Sequence, residues 1–226
     1  MVQHTLQDGF DRRISYLRIA VTDKCNYRCV YCMPAEGVAP RAHGELLSAE
    51  EIARFARLVA GEGITRVRLT GGEPLVSHRI IPLIEKIRAI PQIEDISLTT
   101  NGALLPRFAP LLKDAGLDRV NISLDTLDPV QFGKITRLGR LEQTLTGIDA
   151  ALAYGFSPVK VNSWWCAVWT RTCSTSRGYR SIVPSTCGLS NTCLSVAMRS
   201  AGFARSMPRR RRMARFAPSN GTPAIP

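Results

Sequence analysis

Two apolar rhythms take turns through the first 162 residues of the chain. Short runs rich in apolar residues predict strands over 16–21, 66–70, 95–99, 119–123 and 159–161. Longer stretches with helical spacing between them predict helices over 48–61, 80–90, 106–115 and 141–154. The first helix opens on Ser48 with Glu51 behind it, the two halves of a capping box, and presents Ile52, Phe55, Leu58 and Val59 as its apolar face. The last runs out at Gly155 before the final strand. Strand and helix repeated in this order imply a parallel sheet with covering helices. Ligands of such sheets gather at the carboxyl ends of the strands. The loop after the first strand, Gly71-Gly72-Glu73, Thr99 and Ser123 all fall at such ends, so they are expected to converge in space.

The alternation stops near Ser163, and composition changes at the same place. Residues 1–162 hold all 18 acidic residues and 20 of the 30 Lys and Arg, whereas residues 163–226 hold ten arginines and no Lys, Asp or Glu. Most of the net charge of +12 therefore belongs to the tail. Trp164, Trp165 and Trp169 also lie there, with Cys166, Cys173, Cys187 and Cys193. We expect an ordered domain over 1–162 and a basic tail of low order over 163–226. No secretory leader or membrane-length apolar run is read, which makes a cytoplasmic location the default and a membrane partner unexpected. Reduced cysteines suit that compartment.

Cys25, Cys29 and Cys32 form a C-x3-C-x2-C array directly after the first strand. Three thiolates hold three irons of a 4Fe-4S cluster and leave the fourth iron open to a substrate or cosubstrate. Thiolates also suit zinc, but structural zinc takes four protein ligands. The candidates for a fourth, His4 and His43, stand at no knuckle-like spacing.

The neighbouring residues make the array specific. Thr22-Asp23-Lys24-Cys25-Asn26-Tyr27-Arg28-Cys29-Val30-Tyr31-Cys32-Met33-Pro34, followed by Leu69-Thr70-Gly71-Gly72-Glu73-Pro74, resembles the radical S-adenosylmethionine (SAM) superfamily. Tyr16-Leu17-Arg18-Ile19, Val67-Arg68-Leu69-Thr70, Thr99-Thr100-Asn101-Gly102, Asn121-Ile122-Ser123-Leu124-Asp125 and Lys160-Val161-Asn162 narrow the resemblance to the molybdenum-cofactor GTP 3',8-cyclase family. The likeness runs from about residue 10 to residue 162.

That resemblance implies an α/β fold, an incomplete (β/α) radical SAM partial barrel with parallel strands, followed by an aberrant tail. It implies a lyase of molybdenum cofactor biosynthesis that reductively cleaves SAM at one 4Fe-4S cluster held by Cys25, Cys29 and Cys32. The resulting 5'-deoxyadenosyl radical would take the ribose 3' hydrogen of GTP, after which C3' joins the purine C8. Tyr31, Gly71, Gly72, Glu73 and Ser123 are implied as SAM residues. The glycines would let the backbone approach the methionine amine, and Glu73 would hold that ammonium. Arg18, Arg68, Thr99 and Lys160 are implied as GTP residues, since cations on strands ask for a partner such as a triphosphate. An electron donor such as a flavodoxin or ferredoxin follows, and a homodimer is compatible with the family. No residue is singled out as a catalytic acid or base.

The tail departs from the family. The family's second cluster uses C-x2-C and a distant cysteine, whereas the four tail cysteines are separated by six, thirteen and five residues, so no second cluster is expected. Arg209 to Arg212 looks like a nucleic-acid patch, but no aromatic-interleaved fold surrounds it and specific nucleic-acid binding is not expected. The genetic code offers another account. Trp164-Trp165 and the first bases of Cys166 force TGGTGGTG, which reads Val-Val from each codon's third base, and Trp169-Thr170 forces Asp in the same frame. Permitted codons extend this to family-like segments from Ser163 and again from Thr186 to Leu194. One nucleotide missing near codon 163 would make the tail an out-of-frame translation, with full cyclisation impaired. A tail of one charge sign is not expected to replace the next strand. Two rivals stay open: another radical SAM enzyme acting on a peptide or cofactor, and a basic nucleic-acid-binding protein acting through its tail.

Overall fold

The computed structural model describes residues 6–39, 46–164 and 193–198. His4, His43, Cys166, Cys173, Cys187 and Arg209 to Arg212 lie outside the described residues. The elements run β1 (Tyr16–Ala20), α1 (Ala49–Gly61), β2 (Arg66–Thr70), a 3-10 turn (Pro74–Val76), α2 (Ile80–Arg88), β3 (Asp95–Thr100), α3 (Leu105–Asp114), β4 (Arg119–Ser123), α4 (Pro129–Thr136), α5 (Leu141–Ala153), β5 (Val159–Trp164) and β6 (Cys193–Met198). One sheet takes the strands in sequence order. β1 to β5 are parallel, as the alternation predicts, and β6 lies antiparallel on β5.

Strand side chains alternate between faces. Val67, Leu69, Ile96, Leu98, Val120, Ile122, Val159 and Val161 are buried in the core that the helices cover. Arg18, Arg68, Ser97, Thr99, Arg119, Asn121, Ser123, Lys160 and Asn162 occupy the alternate positions and hence the opposite face. The helices cover one face, and polar side chains, some of them buried like Ser97 and Asn121, line the other.

Local chemistry accounts for most element ends. Ser48 caps α1 through the expected box, its hydroxyl accepting from Glu51 N while Glu51 accepts from Ser48 N at 2.8 Å. The buried stripe of α1, however, is Ala49, Ile52, Ala53, Ala56 and Ala60, and Phe55 and Leu58 are exposed. Alanines let the helix approach its neighbours closely, and the larger side chains fall outside the stripe. Asp128 accepts from Gln131 N at 2.9 Å and Pro129 opens α4, a short helix that the apolar spacing does not reveal. Gly155, at φ 72°, follows α5 as expected.

β6 is a second departure. The tail was expected to lack order beside β5, yet Cys193–Met198 pairs with Val159–Trp164. An unpaired strand edge is a template for any extended segment, and Cys193-Leu194-Ser195-Val196-Ala197-Met198 is an uncharged, largely apolar run able to take that place.

Candidate active site at the carboxyl strand ends

The cysteine loop leaves β1 and is held against the turn that follows β2. Gly72 N donates to Thr22 O at 2.7 Å, and Glu73 N donates to Lys24 O at 2.8 Å. A Cβ on Gly71 would collide with the Thr22 carbonyl, one on Gly72 with the Lys24 carbonyl, and Gly71 sits at φ 142°. Glycine is therefore required here by the contact between two loops. The loop contact is a reason for glycine beside the close approach of a ligand amine that the sequence suggests.

Tyr27 anchors the loop from inside. Its ring is buried edge-on against Phe132 at 6.1 Å, its hydroxyl lies 3.3 Å from Thr144 Oγ1, and its N–H donates to Cys25 Sγ at 3.3 Å. Cys29 O accepts from Cys32 N at 2.9 Å and Met33 N at 3.1 Å, which curls the loop around the last two cysteines. All three thiols are unpaired, Cys25 and Cys29 half-buried and Cys32 exposed. Burial pushes the Cys25 thiol up and the Cys29 thiol to about 11. Among the described residues no three His, Cys, Asp or Glu converge as ligands of a single ion do. Three free thiols spread over one loop suit a polynuclear iron-sulfur cluster. An open cleft of about 260 Å³ beside Cys25 is lined by Asp23, Lys24, Arg28, Met33 and Val38.

Glu73 is 1% exposed. Its carboxylate accepts from Leu75 N at 3.1 Å, Thr100 Oγ1 at 2.7 Å and Asn101 N at 2.7 Å, and burial raises its pKa. These bonds tie the ends of β2 and β3 together from beneath. Asn101 Nδ2 donates to Asn26 Oδ1 at 2.7 Å, carrying the tie into the cysteine loop. Tyr31 O–H donates to Asp125 Oδ2 at 2.7 Å, two residues beyond Ser123. Burial, with the Asp125 carboxylate beside it, pushes the Tyr31 hydroxyl far above its usual value.

On the polar face the remaining candidates fall into tiers, each two residues and roughly 7 Å along the strands from the last. Arg18 and Arg68 are register partners on β1 and β2. Ser97 of β3 continues their row, so Thr99 lies one tier nearer the carboxyl ends, where it and Lys160 flank Asn121 from either side. Ser123, opposite Asn162, forms the next tier at the edge beside the cysteine loop. Arg119 is neutralised by a two-pronged bond to Asp95. Arg18, Arg68 and Lys160 have no carboxylate partner among the described residues. Arg18 and Arg68 reach the hydroxyls of Thr70 and Ser97, both at 3.5 Å, and the Arg68 guanidinium lies over the Tyr16 ring at 5.3 Å from its centroid.

Sequence reasoning passed over Asn26, Thr100, Asn101, Asn121 and Asp125, although all five stand inside quoted motifs within two positions of chosen residues. Asn121 is 1% exposed and its Nδ2 has no hydrogen-bond partner among the described residues. A polar residue two positions before Ser123 on the same strand, and so on the same face, was the signal available.

A parallel sheet with a three-cysteine loop after its first strand and a glycine turn after its second is the arrangement of one class of enzyme. The radical SAM superfamily description matches residues 19–164, and the chain belongs to that superfamily. Within it, the GTP 3',8-cyclase of Heliobacterium modesticaldum is 56% identical over 155 residues, 69% of this chain and 47% of the relative. That of Moorella thermoacetica is 56% identical over 157 residues, 70% of this chain and 49% of the relative. The chain thus spans about half the length of the relatives it matches. Among solved structures, Streptococcus suis SuiB bound to precursor peptide SuiA shares the fold at TM-score 0.54 and 22% identity, covering 63% of this chain and 31% of that one. HydG, a maturase of the FeFe-hydrogenase, does so at TM-score 0.53 and 18% identity, covering 64% and 34%.

Proposed function

We propose that this chain carries the SAM-cleaving centre and the phosphate-binding part of the nucleotide site of a GTP 3',8-cyclase. The observation that carries the reading is the Arg18–Arg68 pair, two cations in register without a carboxylate between them. Like charges placed opposite one another destabilise a sheet. An anion between them reverses the sign, and guanidinium forks match phosphate oxygens in pairs.

The tiers suit that substrate. Arg18 and Arg68 take the phosphate chain at the amino side, Lys160 and Thr99 take the oxygens that follow, and the ribose comes to lie towards Ser123, Tyr31 and Gly72, where SAM binds. When bound, the cluster supplies the electron that cleaves SAM. Cys25, Cys29 and Cys32 are the residues that would hold the cluster. Glu73 acts through the turn it braces, keeping Gly72 and the cysteine loop in register. A flavodoxin or ferredoxin serves as donor in the cytoplasm, and the chain assembles as a homodimer.

Residues 163–226 are, on this reading, an out-of-frame translation. The superfamily match ending at residue 164 supports it, and resequencing the DNA around codon 163 tests it. The consequence is a chain that cleaves SAM without cyclising GTP. GTP titrated into the anaerobic, iron-loaded chain should bind, and Arg18→Ala or Arg68→Ala should weaken binding by about tenfold. With dithionite the chain should release 5'-deoxyadenosine and form no cyclised nucleotide. Equal GTP affinity in the arginine variants would sink the nucleotide reading, and cyclised product would sink the impairment.

A further inference from the structure

The loop that carries the cysteines is clasped from outside by a residue that no motif contains. α4 ends at Arg137, whose backbone stands at φ 61°, ψ −45°. A non-glycine residue with positive φ is uncommon and costs on the order of 1 kcal/mol or more. Its Nη1 donates to Arg28 O at 2.9 Å and to Met33 O at 3.0 Å. Those two carbonyls bracket Cys29 and Cys32. The adjoining end of α4 adds Arg28 N to Thr136 O at 3.0 Å and Val30 N to Ile135 O at 2.9 Å. Arg28 braces the first half of the loop in the same manner, donating to Cys25 O at 2.6 Å and Tyr27 O at 3.0 Å.

The side chain of Arg137 has no carboxylate partner among the described residues, and the residue is exposed, so neither an ion pair nor core packing accounts for it. One donor shared by both ends of the six-residue arc from Arg28 to Met33, supplied from a strained backbone, is a clamp on that arc.

We propose that Arg137 is a positioning residue that holds Cys29 and Cys32 at the spacing the iron-sulfur cluster requires. The inference rests on the reading that these cysteines hold a cluster, but its first readout does not. Within the arc the N–H groups of Val30, Cys32 and Met33 donate to Ile135 O and Cys29 O, and the clamp on the Arg28 and Met33 carbonyls restrains the opening that would expose them. Arg137→Gly removes the guanidinium while relieving the positive φ, so it should melt at the same temperature as the native chain or higher. The same variant should speed hydrogen exchange at residues 29–33 by about tenfold, the value of one lost hydrogen bond. Arg137→Ala should speed exchange equally while keeping the strain. After anaerobic reconstitution, both variants should lose iron to a chelator about tenfold faster than the native chain. Unchanged exchange at residues 29–33 in both variants would overturn the proposal, whatever happens to the melting temperature. Faster exchange in both variants, together with a native chain that takes up no iron, would keep the clamp and remove the cluster reading beneath it.

Discussion

Glu73 Oε2 accepts the backbone N–H of Asn101 at 2.7 Å, so one buried carboxylate joins the turn after β2 to the turn after β3. Its other oxygen takes Thr100 Oγ1 and Leu75 N. Glu73→Ala would strand these donors in a site that water does not reach. We expect a loss of about 3 kcal/mol in denaturant unfolding, at the upper end for unsatisfied buried groups. Glu73→Gln, which keeps one acceptor oxygen, should cost less. Equal stability of Glu73→Ala and the native chain would mean the carboxylate is dispensable to the fold and free for a ligand.

The two glycines of the same turn should behave unlike a third glycine elsewhere. Gly72→Ala drives a Cβ into the Lys24 carbonyl group, and the backbone must move to relieve it. We expect a destabilisation of about 2 kcal/mol and lower iron uptake, because the displaced backbone leads into Cys25. Gly133, inside α4, has nothing within 4 Å of an added Cβ. Gly133→Ala should instead stabilise by about 0.5 to 1 kcal/mol. Thermal melts with iron analysis compare the two directly.

Cluster loading is countable. Reconstitution of the native chain should give about four irons and four sulfides, the content of one three-cysteine site. Cys29→Ala should lose most of both. A native chain holding twice that content would bring the tail cysteines back as ligands.

Arg18 and Arg68 separate binding from folding. Without ligand, Arg18→Ala removes a like-charge neighbour and should raise stability by a few tenths of a kcal/mol, more at low salt than at high. The same change weakens GTP binding on our reading. A variant that loses stability and affinity together would place Arg18 among the structural residues.

Local chemistry in the chain was enough to specify much of this protein. β2 and β4 run over the predicted residues, 66–70 and 119–123, and the Ser48–Glu51 box starts α1 where it should. Strand alternation, a cap and a glycine turn each depend on residues within a few positions, so they are legible in one dimension. Asp128-Pro129 was legible too, and went unread because α4 has too short an apolar stripe to show a period.

Tertiary structure decided the rest, since those facts join residues far apart in the chain. Asn26 meets Asn101 and Tyr31 meets Asp125 only once β1, β3 and β4 lie in one sheet. Whether Glu73 faced a ligand or the protein depended on where Thr100 and Asn101 came to rest. The buried stripe of α1 was settled by how closely a helix could approach its neighbours, which favoured Ala56 and Ala60 over Phe55 and Leu58. The tiering of Arg18, Arg68, Thr99 and Lys160 on one face follows from strand register, which is a property of pairs of strands and is absent from any single one.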